Sequence, residues 1–288
     1  MFKKLLLLSS AFILNAYTPA KVKKAETPIP VCYTAALATP NAMAEMAAND
    51  SFRMLHNIPD TFVYKGDGES ITFKTPDGKT GSGFLIKSAK KSDKWLFVYQ
   101  EWWGLNDHIK QEAQKLYNDL DNVNVLALDM YDGGIGTTRE EAGKLMQAAT
   151  KERLEAITKG AFDYVGSKAK VASIGWCFGG MLSLQNALIG GKQVVGCVMY
   201  YGRPEQDVAK LKSLNVDVLG IFGSQDQGIN PEMVTKFEQD MKAAGKKLTV
   251  KTYDAVHGFA NPSNPKQDAA ATADAYKISL AYLKSKLG

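Results

Sequence analysis

The chain has 288 residues, 45% of them hydrophobic and 23% charged, with a formal net charge of +5. These are the proportions of a globular protein, which excludes a disordered or collagen-like chain, and the length suits one large α/β domain. No basic block stands out beyond the first twenty residues, so there is no nucleic-acid footprint and no polybasic membrane patch.

"MFKKLLLLSSAFILNAYTPA" opens the chain with two lysines followed by an uncharged stretch. Its apolar part, 5–14, is far shorter than the ~20 residues a bilayer-spanning helix needs. The pattern predicts a secretory signal peptide over 1–20, cleaved near Ala16 or Ala20, and so an exported (periplasmic or secreted) chain with no membrane span after processing. A retained anchor is the alternative. Residues 21–51 are rich in Ala, Pro and Thr without a strong period and read as a linker or leader with a short helix. The domain is expected over 52–288. Cys32, Cys177 and Cys197 are too few for a disulfide scaffold, and the odd count leaves at least one thiol unpaired. Cys197, inside the apolar "VVGCVMY", reads as a small buried hydrophobe.

Strands are predicted at "TFVYKG" (61–66), "SITFKT" (70–75) and "GSGFLIKSA" (81–89), the last two joined by a turn at Asp77 and Gly78, and then at "KWLFVYQ" (94–100). From there the pattern alternates. Ile109, Ala113, Leu116, Tyr117 and Leu120 have helical spacing, and "VNVLALDM" is a buried strand. Thr138 and Glu141 form a capping box before one long helix ending near Gly166. Strands at 171–176, 194–202, 216–224 and 247–253 then alternate with helices at 178–190, 206–214, 231–245 and 266–287. Continuous apolar strands between amphipathic helices predict a mainly parallel central sheet covered on both faces, the α/β class.

"IGWCFGG" (174–180) sets Cys177 on a strand-to-helix turn between Gly175 and Gly179. The G-x-nucleophile-x-G elbow of α/β hydrolases has this form, with small neighbours because the turn is tight. A thiol at a helix start is favoured as thiolate, and the first helical N–H groups can donate to an oxyanion. Cys177 is therefore expected to be reactive and Cys197 inert. Asp226 follows one later strand and His257 the next, in the hydrolase order of nucleophile, acid and histidine. His56 lies in the leader region and His108 opens a helix, so neither shares that placement. With the three histidines scattered and no ligand cluster in the sequence, no metal or organic cofactor is expected.

"GWCFGG", "YYG", "GSQDQ", "HGFANP", "YQEWWGLNDHIK" and "LALDMYDG", taken together and in order, resemble the dienelactone hydrolase family of the α/β-hydrolase superfamily from about residue 70 onward. The resemblance implies an α/β-hydrolase fold with Cys177 as nucleophile, His257 as base and Asp226 as its orienter. It further implies that Glu101 contacts the resting thiol, and that the backbone N–H groups of Trp102 and Phe178 form the oxyanion hole. The family's namesake holds its substrate carboxylate with two arginines, and the matching regions here carry Gly133 and Asn261. A small-molecule ester or lactone substrate is thus expected, neutral rather than anionic. A thioesterase or acyl-transfer enzyme on the same triad, or a non-catalytic binding protein that retains the pocket, are the alternatives.

Overall fold

A computed structural model of the protein describes residues 40–288; the signal-peptide expectation, Cys32 and most of the leader lie outside the described residues. The chain enters through two short helices, α1 (Ala44–Ala48) and α2 (Asp50–Met54). It then builds β1 (Glu69–Lys74), β2 (Thr80–Ile86), β3 (Lys94–Tyr99), α3 (Asp107–Asp119), β4 (Asn124–Asp129), α4 (Arg139–Ala148), α5 (Lys151–Val165) and β5 (Lys170–Trp176). α6 (Phe178–Ile189), β6 (Val194–Tyr200), α7 (Val208–Leu211), β7 (Val218–Gly223), α8 (Pro231–Ala243), β8 (Leu248–Tyr253) and α9 (Ala269–Leu287) follow.

The eight strands form one sheet in the order β1-β2-β4-β3-β5-β6-β7-β8. β1 and β2 pair antiparallel, β2 pairs antiparallel with β4, and every later pairing is parallel. β4, β5 and β7 are buried along nearly their whole length because helices cover both faces, which is why their sequences run apolar without alternation. Strand order reverses between β3 and β5, since β4 lies on one side of β3 and β5 on the other. Open α/β sheets place ligands in the crevice at the carboxyl ends of such a pair. No described helix is long and apolar enough to cross a membrane.

Two local expectations are corrected. Residues 61–66 form no strand. Their polar groups are taken by α3 instead: Tyr64 N donates to Asp107 Oδ2 at 3.0 Å, and Tyr64 Oη donates to Gln114 Oε1 at 2.6 Å. The single long helix expected before Gly166 is two helices, with Thr150 capping the second through Arg153 N. The break coincides with the entering chain. Asn41 Nδ2 donates to the carbonyls of Met146 and Ala149, at 2.6 and 2.7 Å, and Pro40 bridges Thr150. A side chain supplied from a hundred residues away thus satisfies helix-end carbonyls that would otherwise need the next turn.

Candidate active site

Each parallel strand delivers a side chain to one place. Glu101 and Trp102 follow β3, Tyr131 follows β4, Cys177 follows β5, Tyr201 follows β6, Asp226 follows β7 and His257 follows β8. All seven are buried.

The elbow is strained in the way its sequence implies. Cys177 has φ 53° and ψ −113°, a left-handed conformation unusual outside glycine. Close packing holds it there. A Cβ on Gly175 would run into the backbone of Gly179, and one on Gly179 would run into the carbonyl oxygens of Tyr99 and Gln100. Cys177 N donates to Tyr200 O at 3.0 Å, and Cys177 O accepts from Gly180 N and Met181 N. Phe178 is the first residue of α6, so its N–H has no intrahelical acceptor and sits beside the thiol.

Behind the thiol, His257 Nδ1 donates to Asp226 Oδ2 at 2.6 Å. Asp226 Oδ1 accepts from Gly228 N and Ile229 N, at 2.7 and 2.9 Å, so the carboxylate orientation is pinned. Burial opposes charge on His257 and is the largest single influence; Asp226 and the thiolate of Cys177 together outweigh it and push the imidazole up to about 10. His257 Nε2 lies within 4.8 Å of Cys177 Sγ, yet has no partner in hydrogen-bonding geometry.

Glu101 is brought to the site, but its carboxylate does not hold the thiol. Oε2 accepts from Trp103 N at 2.8 Å, and Oε1 accepts from Ser263 Oγ at 2.8 Å and Asn106 Nδ2 at 3.5 Å. Burial pushes its carboxyl up to about 8.

The group on the thiol is one that sequence reasoning passed over. His56 Nε2 lies 3.4 Å from Cys177 Sγ, and its Nδ1 donates to Phe52 O at 3.0 Å. Burial, then the neighbouring His257, lowers the His56 pKa well below its ordinary value. Its ring lies 4.1 Å from Trp102 and, edge-on, 5.1 Å from His257, while Phe52 lies 5.5 Å from His257. The segment carrying them is tied down by Arg139 Nε, which donates to His56 O at 2.7 Å, by Arg203 Nη1 on Ala42 O, and by Asn57 on Asn264. α1, α2 and the turn after them form a cap that sets His56 on the fully buried Cys177. Cys177 and Cys197 are both buried, and burial pushes the Cys197 thiol up to about 12. The expectation of scattered histidines is corrected, because the fold sets His56 and His257 on the same sulfur. His108 stays apart on α3, with Nε2 against Asp60 O.

A mainly parallel sheet with a strained strand-to-helix elbow and an Asp–His pair at the same edge defines an α/β hydrolase. The family model described as "Dienelactone hydrolase family" matches residues 82–287. The chain belongs to the dienelactone hydrolase family and is a hydrolase of ester or lactone bonds. It is similar to Protein usf of Aquifex pyrophilus, 26% identical over 223 residues that cover 72% of this chain and 96% of that protein. It is also similar to carboxymethylenebutenolidase 1 of Cupriavidus pinatubonensis, 25% identical over 72% of this chain and 91% of that protein. Among solved structures it shares its fold with a dienelactone hydrolase-like promiscuous phosphotriesterase from metagenomic libraries, with TM-score 0.66 and 22% identity over 77% of this chain and all of that one. The cap residues Phe52 and His56 precede the stretch the family model matches.

Proposed function

We propose that this hydrolase uses Cys177 as nucleophile on neutral esters or lactones, outside the cytoplasm. The observation that carries the reading is the strained elbow at Cys177 with the buried His257–Asp226 pair at the same sheet edge. In the reaction, His257 Nε2 takes the thiol proton and the thiolate attacks the acyl carbon. The backbone N–H groups of Phe178 and Trp102 donate to the oxyanion. The alkoxide leaves with the proton from His257, and water activated by the same nitrogen releases the acid. Asp226 holds the imidazole in the tautomer that this needs. The cap lies over the sulfur, so a substrate displaces His56 and Phe52 as it enters.

Preference for a neutral substrate follows from where the arginines are used. Arg53 pairs with Asp50, Arg139 and Arg203 hold the cap, and Arg153 pairs with Asp77 and Asp132. A buried substrate carboxylate would lack an arginine partner, and an unpaired buried charge is costly. The export reading is supported by the lysine-led apolar opening of the sequence. Brief exposure to an activated aryl ester should leave an acyl group on Cys177, seen by peptide mass spectrometry. Full turnover in Cys177→Ala, or acyl transfer to another residue, would overturn the assignment.

A further inference from the structure

Two imidazoles converge on one sulfur at the elbow. His56 Nδ1 donates to Phe52 O, so its Nε2 carries a lone pair. His257 Nδ1 donates to Asp226, so in the neutral ring its Nε2 carries one as well. Both Nε2 atoms face Cys177 Sγ, and the three atoms lie within 4.8 Å of one another in a fully buried setting. His257 Nε2 is buried with no hydrogen-bond partner. Leaving such a group unmet is unfavourable. A thiolate and two neutral imidazoles can each give one lone pair to an electron-poor centre.

We propose that His56, Cys177 and His257 form a binding site for a soft divalent cation of the Zn2+ class, which locks the cap onto the elbow. Zinc bonds of about 2.3 Å to sulfur and about 2.0–2.1 Å to nitrogen, set tetrahedrally, put ligand atoms about 3.3–3.6 Å apart. The His56–Cys177 edge already has that length, at 3.4 Å. The widest edge of the triangle closes by side-chain rotation of roughly 1 Å. Each imidazole is oriented from behind by an acceptor, a carboxylate for His257 and a backbone carbonyl for His56, as metal-binding histidines are. The thiolate and Asp226 together balance a divalent charge. Sulfur and nitrogen donors select Zn2+ or Co2+ over Mg2+ and Ca2+, which take oxygen. The thiol gives up its proton to solvent as the metal–sulfur bond forms, with no change of oxidation state. The bound ion would occupy nucleophile and base together and tie them to the cap, a reversible closed state. This site does not depend on Cys177 being the catalytic nucleophile, because its readout is the metal itself.

The test is titration of the metal-free full chain with Co2+ under anaerobic conditions, followed by Zn2+. One equivalent of Co2+ per chain should give a thiolate-to-metal charge-transfer band that Zn2+ abolishes and Mg2+ does not. The band should survive Cys32→Ser and vanish in Cys177→Ser. His56→Gln should weaken binding at least ~10-fold. Since His56→Gln could also loosen the cap, a second measurement uses the unaltered chain. Zn2+ at ten times its dissociation constant should slow alkylation of Cys177 by iodoacetamide about 10-fold, by mass action. A Co2+ spectrum without the band, or Zn2+ uptake indifferent to Cys177→Ser, would overturn the proposal.

Discussion

Replacing Phe52 with alanine tests whether the cap controls access to the thiol. The Phe52 ring is buried, 4.8 Å from His56, 5.5 Å from His257 and 6.4 Å from Trp102, and it packs over Gly228. Truncating a buried phenylalanine removes ~3–5 kcal/mol in a core, counting transfer and cavity. The cap is a short surface unit held by Met43, Ala47 and Phe52 together with the side-chain bonds from Asn41, Arg139 and Arg203. Such a unit opens ahead of global unfolding, so the loss falls on its own opening equilibrium. Taking the lower figure, about 3 kcal/mol, the open fraction rises roughly 100-fold. Cys177 is fully buried when the cap is closed, so its alkylation reports that fraction. The assay is the time course of iodoacetamide labelling, resolved by peptide mass spectrometry, with Cys197 as internal control. Cys197 sits in β6 against Ser183 and should not accelerate. An unchanged Cys177 rate would refute the cap as a barrier. Parallel acceleration of both cysteines would show that the substitution unfolds the domain rather than opening the cap.

Asp226→Asn should lower kcat for an aryl ester by roughly 10³–10⁴-fold with the fold intact. The two backbone donors on Oδ1 would turn the amide NH2 toward His257 and force the wrong tautomer, and circular dichroism alongside kinetics checks both halves. Glu101 should make stability pH-dependent. Its folded carboxyl, raised from 4.5 to about 8 by burial, binds its proton more tightly than in the unfolded chain. Its contribution is therefore full below pH 4.5 and lost as pH rises through 8. The loss is on the order of 4 kcal/mol, and urea unfolding at pH 5 and 8.5 should show it in the parent and not in Glu101→Gln. Gly179→Ala should cost at least about 2 kcal/mol and disturb the elbow, because the added methyl meets the rigid carbonyls of Tyr99 and Gln100; a thermal midpoint within a degree of the parent would contradict this.

Much of the site could be read from local sequence. The elbow is legible because its strain is relieved only by glycines at fixed offsets, 175 and 179. Asp226 and His257 are legible because each follows an apolar strand, and neighbouring parallel strands deliver their ends to one edge. The fold class follows from the same alternation of strands and helices. His56 carried no such signal. It is 121 residues from Cys177 in the chain, on a two-turn segment without a strong period. Tertiary contacts, those of Asn41, Asn57, Arg139 and Arg203 among them, decide that it rests on the sulfur. Glu101 was placed at the site by the family resemblance of the segment that follows β3. Which way its carboxylate turns was decided by Ser263 and Trp103, whose hydrogen bonds outcompete the thiol. The break between α4 and α5 and the loss of a strand at 61–66 have the same origin. Backbone groups that local pattern assigns to a helix or a ladder were satisfied by distant side chains, Asn41 in one case and Asp107 in the other. Periodicity and turn chemistry act over a few residues and so can be read along the chain. A hydrogen bond closed by the folded backbone joins residues whose spacing in the sequence carries no information about their meeting.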